Sequence, residues 1–97
     1  MIQSFKDRGS ADLFDGLDSK AARKTCPRDL WKTAVRKLER LDSAETLEDL
    51  RVPPGNRLEA LTGSRAGTWS LRINDRYRIC FGWTDAGPVE VEIVDYH

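Results

Sequence analysis

Ninety-seven residues, 39% hydrophobic and 33% charged, describe one small domain spanning 1–97, without room for a second domain or a large cofactor pocket. Sixteen Lys and Arg balance sixteen Asp and Glu. That balance excludes the broad positive field with which a protein coats nucleic acid indiscriminately. No apolar stretch is long enough to span a membrane, and the opening Met1–Arg8 lacks a signal peptide's apolar centre, so a cytoplasmic location is expected.

Residues 1–6 read as a short strand with Ile2 and Phe5 turned inward, broken at Gly9-Ser10. Ser10 is the expected N-cap of a short helix, Ala11 to Gly16, whose apolar side is Leu13, Phe14 and Leu17. Asp18 to Thr25 is either a loop or a helical turn. The strongest helix begins near Pro27, a residue suited to a first turn. Leu30, Trp31, Ala34, Val35, Leu38 and Leu41 then form one apolar stripe. Its basic flank, Arg28, Lys32, Arg36, Lys37 and Arg40, is either a solvated surface or a contact for a partner or RNA. A shorter apolar piece, Thr46 to Leu50, leads into the loop Val52-Pro53-Pro54-Gly55, which divides a helical half from a strand half.

From Asn56 onward the period is two. Arg57 to Leu61 is a short strand and Thr62 to Gly67 a turn. Trp69, Leu71 and Ile73 alternate with Ser70, Arg72 and Asn74, and Asn74-Asp75 marks a tight turn. Tyr77, Ile79, Phe81 and Trp83 alternate with Arg78, Cys80 and Gly82; a turn at Thr84–Pro88 precedes the last strand, Val89 to Val94. Short turns make these strands antiparallel. The expected fold is α+β, with N-terminal helices covering one face of a twisted antiparallel sheet. Alternation sends Leu71, Ile79 and Phe81 towards the helices and places Arg72 and Arg78 together on the open face, flanked by Arg57, Glu59 and Arg65.

Charge is unevenly spread along the chain. Residues 51–82 carry six arginines and no lysine against Glu59 and Asp75, a net of +4; residues 83–97 carry four carboxylates and no base, a net of −4. The only histidine ends the chain, in Asp95-Tyr96-His97. An imidazole, a phenol, a carboxylate and several guanidiniums are suitable parts for breaking a phosphodiester without a metal. Cys26 and Cys80 lack metal-ligand spacing, so no zinc site is expected, and Cys80 reads as a small buried residue within a strand.

Several segments in order carry a resemblance: Asn56-Arg57-Leu58-Glu59-Ala60-Leu61, Gly63, Arg65-Ala66-Gly67, Trp69 to Asp75, Tyr77-Arg78-Ile79-Cys80-Phe81 and the ending Val91 to His97. This set, with the opening Met1-Ile2-Gln3-Ser4-Phe5, resembles the HigB branch of the RelE/ParE toxin superfamily over essentially the whole chain. The resemblance implies a small RelE-like domain and a toxin of a bacterial type II toxin–antitoxin system. It implies a ribosome-dependent, metal-independent endoribonuclease that cuts mRNA and inhibits translation without a cofactor. The partners implied are a HigA-type helix-turn-helix antitoxin, the ribosome and mRNA. Two other readings stay open: a ParE-like inhibitor of DNA gyrase, and a degenerate toxin serving only as its antitoxin's co-repressor.

On the nuclease reading His97 is the expected acid or base. Tyr96 stacks on a base or assists proton transfer, and Asp95 orients the imidazole or is itself the base. Arg72 and Arg78 hold the scissile phosphate, with Arg57, Arg65 and Arg76 as further phosphate contacts. Glu59 positions the arginines or serves as the alternative base. Two positions depart from the family pattern: Thr62 stands where relatives commonly carry lysine, and Glu59 where one branch carries histidine.

Overall fold

Proline at 27 starts a turn of 3-10 helix at Arg28–Leu30, and the apolar stripe that follows winds into a thirteen-residue α-helix, Trp31–Ser43. The computed structural model describes residues 1–96; His97 lies outside the described residues. Before that helix (α3) come α1, Arg8–Phe14, and α2, Lys20–Arg23. The predicted N-terminal signals shift here. Asp7, not Ser10, caps α1, its carboxylate accepting from the Ser10 N–H at 2.7 Å. The ambiguous 18–25 segment becomes a turn capped by Ser19. Gly9 lies inside α1 rather than breaking a strand, and a Cβ there would come within 2.5 Å of the Ala21 carbonyl oxygen. Only glycine lets α1 and α2 approach this closely.

After α3, Thr46 and Asp49 form a reciprocal capping box around the 3-10 turn Leu47–Arg51. The strand half then builds a four-stranded antiparallel sheet in the order β1 (Glu59–Ala60), β2 (Thr68–Arg72), β3 (Tyr77–Thr84) and β4 (Gly87–Asp95). The strand predicted over 57–61 shrinks to two residues. Pro54–Asn56 forms a 3-10 turn and Arg57 takes a left-handed conformation, φ 44°, outside the extended region of a regular strand. The N-terminal segment is extended but makes only one bridge, Phe5 beside Val91, parallel to β4. At that point β4 carries a bulge, where Glu90 and Val91 oppose Phe81 alone and Glu90 adopts φ 53°.

One layer of helices packs on one face of this sheet. Leu13, Leu38, Leu41 and Leu50 from the helical half meet Leu71, Ile79, Phe81, Val91 and Ile93 from the sheet, all at most 7% exposed. Burying each such side chain stabilises the fold by about 1.5–3 kcal/mol. No helix among the described residues is long and apolar enough to cross a membrane.

Ser10 couples the layers by a polar contact. Its hydroxyl, fully buried, accepts the β4 N–H of Ile93 at 3.0 Å. Ser10→Ala strands that amide without a partner. We expect it to lower the unfolding free energy by about 1–3 kcal/mol in urea denaturation, with little change in the slope.

Candidate active site

Strand register decides which side chains share the uncovered face. Glu59, Ser70, Cys80 and Glu92 lie directly opposite one another across the four strands, and Arg72, Arg78 and Val94 form the next row. Residues two apart on a strand point the same way, so both rows face away from the helices. Leu71, Ile79 and Ile93, between them, face the core. The predicted pairing of Arg72 with Arg78 on the open face is what the register produces.

Their environments differ. Arg72 is partly exposed and pairs with Asp75 in the β2–β3 turn. Asn74 shapes that turn, its side-chain oxygen accepting from the N–H groups of Arg76 and Tyr77 at 2.9 and 2.8 Å. Arg78 is only 8% exposed. Its Nε donates to Ser70 Oγ at 2.8 Å and its Nη2 to the Arg57 carbonyl at 2.7 Å, while Glu59 Oε1 lies 3.6 Å from Nη2. The Tyr96 ring centroid is 5.7 Å from Arg78 Cζ, within cation–π range. The outward arginine of the sequence pattern is thus a buried, oriented guanidinium. Alternation gives direction, and depth comes from the neighbours that close over it.

The remaining predicted residues divide. Arg57 contributes its backbone carbonyl to Arg78 while its side chain is exposed. Arg65, in the 3-10 turn after the exposed Thr62, reaches Glu92 at 3.7 Å, and Lys6 reaches the same carboxylate oxygen at 3.3 Å. Tyr96 is 49% exposed, anchored by its N–H donating to the Arg76 carbonyl at 2.7 Å. Asp95 follows Ile93 onto the helix side of the sheet, where it lines a cleft with Asp7, Arg8, Lys24 and Thr25. Arg76 grips it with both Nε and Nη2, at 2.7–3.0 Å, which raises the arginine's pKa. Asp95 and Arg76 are therefore not brought together with Arg72 and Arg78. His97, the expected acid or base, lies outside the described residues.

Ser70, Glu92 and Lys6 were missed as site residues. Ser70 and Glu92 were readable as open-face positions by the same alternation that marked Arg72; Lys6 arrives only through the parallel approach of the N-terminal segment to β4. Cys80, free and buried, lies among Arg65, Glu92, Arg78 and Lys6, and burial is the main cause that pushes its thiol pKa up. Among the described residues, no group of three or more His, Cys, Asp or Glu side chains is placed to hold a metal ion.

The comparisons bear on the family and the fold. The family model for RelE-like toxins of the HigB type II toxin–antitoxin system matches residues 3–97. The chain belongs to the HigB-like toxins. It is 41% identical over 85 residues to Toxin HigB-1 of Vibrio cholerae, covering 88% of this chain and 86% of that one. An uncharacterized protein of Haemophilus influenzae is 38% identical over 55 residues, 57% of this chain and 54% of the relative. In structure the chain is similar to a YoeB/ParE toxin from Agrobacterium tumefaciens, with a TM-score of 0.51 over 98% of both chains at 20% identity, a likeness of fold alone. As a type II toxin, the protein has an antitoxin partner.

Two measurements test the architecture of the site. Ser70→Ala removes the acceptor of a buried, charged donor and should cost about 1–3 kcal/mol of stability. A raised thiol pKa means that the folded state holds its proton more tightly than the unfolded chain, whose thiol titrates near about 8.5. The stabilisation is full below that value and fades as pH rises through the higher folded one. At pH about 8, iodoacetamide should label Cys80 at least about tenfold more slowly in the folded protein than in urea, read by mass spectrometry.

Proposed function

We propose that this toxin is a ribosome-dependent endoribonuclease that cleaves mRNA by transesterification through the ribose 2′-OH. The observation that carries the reading is the Arg78 guanidinium, nearly buried, held by Ser70 Oγ and the Arg57 carbonyl, and directly opposite Arg72 on the uncovered face. A fixed positive charge in a partly dry setting stabilises a developing phosphorane better than a mobile one in water, because it needs no reorganisation when the charge develops. Arginine's planar fork also suits two phosphate oxygens at once.

In the proposed reaction the 2′-oxygen attacks the adjacent phosphorus and the bond to the 5′-oxygen breaks. The products are a 2′,3′-cyclic phosphate and a 5′-hydroxyl. Arg78 and Arg72 hold the non-bridging oxygens. Glu59, half exposed beside Arg78, and His97 are assigned to proton transfer: one takes the 2′-OH proton, the other gives a proton to the leaving oxygen. Tyr96 offers its ring to a flanking base while covering Arg78. Asp95, gripped by Arg76, serves as a positioning residue that ties down the end of β4. The zero net charge supports a division of labour in which the ribosome orients the message. The cognate antitoxin is proposed to be of the HigA helix-turn-helix type.

Mapping transcript 5′ ends after brief induction tests this. Wild type should create new in-frame 5′ ends, and Arg78→Lys, which loses the fork and one of its anchors, should reduce them by about 10²-fold or more. His97→Ala should do likewise. Growth arrest without new 5′ ends would refute the nuclease reading, and a gyrase cleavage-complex assay would then decide whether the arrest has the ParE-like cause.

A further inference from the structure

The C-terminal half of α3 brings Arg36, Lys37 and Arg40 to a cleft of about 260 Å³, closed on its other side by Pro53 and Asn56. None of these three cations has a carboxylate within 4.0 Å among the described residues, unlike Arg65, Arg72, Arg76 and Arg78 on the sheet. Of the acids around the cluster, Glu48 lines a cleft with Arg40 and pairs with Arg51. Asp75 pairs with Arg72; Asp49 accepts from its own capping box, within electrostatic reach of Arg40; Glu39 lies with Arg36 on the neighbouring surface beside Trp31.

The cluster is also held in place. Lys37 Nζ donates to Asn56 Oδ1 at 2.7 Å, and Asn56, 2% exposed, is fixed by donating to the carbonyls of Leu50 and Val52 at 3.2 and 3.3 Å. Arg40 donates to the Val52 carbonyl. Among the described residues Arg36 makes no hydrogen bond or ion pair, and it is exposed at the rim. Desolvation is the first cause that lowers the Lys37 pKa, and the charges of Arg36, Arg72 and Arg40 lower it further. The charge of Arg72 on β2 is thus also felt at Lys37. A merely solvated helix flank spreads its charges or interleaves them with acids. Here like charges converge on a cleft, one of them partly desolvated and held by a buried asparagine, an arrangement that a polyanion relieves.

We propose that the Arg36–Lys37–Arg40 cleft binds the phosphodiester backbone of RNA, an anchoring site on α3 distinct from the scissile phosphate at Arg78. The proposal rests on the RNA-directed reading above but not on cleavage. Each phosphate neutralised releases condensed counterions, so the site should appear in the salt dependence of binding. Two sources share this chemistry, ribosomal RNA and the message, and the test separates them.

Binding of the full chain is measured over a salt series to purified 70S ribosomes and, separately, to a short single-stranded RNA. Arg36→Ala, with no partner to lose in the fold, should reduce the slope of log K against log salt by about 0.7–1, and Arg36→Ala with Lys37→Met by about twice that. Lys37→Arg should retain most of the wild-type slope. A reduced slope with ribosomes alone assigns the cleft to ribosomal RNA; a reduced slope in both arms assigns it to the message as well. Unchanged slopes in both arms overturn the proposal. So does loss of antitoxin binding by these variants with RNA binding intact, which would make the cleft a protein-docking surface. If wild type shows the cluster-dependent slope yet yields no new 5′ ends, the nuclease reading fails and this one stands. If 5′ ends appear and the variants keep the wild-type slope, the reverse holds.

Discussion

The site depends on keeping the Arg78 charge nearly buried in a very small protein. Moving a guanidinium out of water costs several kcal/mol unless its donors are met. The chain meets them from three separate places: Ser70 on β2, the Arg57 carbonyl and the nearby Glu59 carboxylate at the sheet edge, and the Tyr96 ring after β4. Each provision constrains its own surroundings. A small hydroxyl must stand at position 70, where a larger side chain would displace the guanidinium. Arg57 adopts φ 44°, which ends the preceding 3-10 turn and leaves β1 only two residues. The end of β4 must be ordered enough to lay Tyr96 over the arginine, and the Asp95–Arg76 pair on the opposite face contributes to that.

The two faces of the sheet divide the work. The helix side is apolar and closes the core against α1 and α3, with Ser10 as its buried polar tie. The open side is a lattice of cations and acids in fixed register, Glu59–Ser70–Cys80–Glu92 beside Arg72–Arg78. Two arginines directly opposite on antiparallel strands repel, and the fold offsets this with Asp75 on one and Glu59 beside the other. A phosphate between them would supply the missing negative charge. On α3, too, cations gather with no acid within ion-pair distance of Arg36, Lys37 or Arg40 among the described residues.

Much of this was legible in the sequence because sheet periodicity has no slack. Every side chain in β2 and β3 must point one way or the other, so Trp69, Leu71, Tyr77 and Ile79 placed Arg72 and Arg78 together without knowledge of packing. Helix α3 was legible for the same kind of reason, its apolar stripe having a single period. The helix starts were less so: Ser10 looked like a cap, but Asp7 three residues earlier does that work and frees the Ser10 hydroxyl for Ile93. Propensity identifies residues able to cap, and tertiary demand selects among them.

The sequence by itself determined the fold class, the antiparallel pairing of consecutive strands and the shared face of Arg72 and Arg78, since these follow from local period and turn chemistry. It also carried the family, through an ordered set of residues spread over the chain. Only the tertiary structure decided how deep Arg78 sits, that Asp95 turns to the helix side to meet Arg76, that Lys6 joins Glu92, and that α3's cations converge on a cleft closed by Asn56. These depend on the distance between segments far apart in the chain and on which neighbours close over a charge. Desolvation and ion pairing vary steeply with that distance, and no local pattern encodes it.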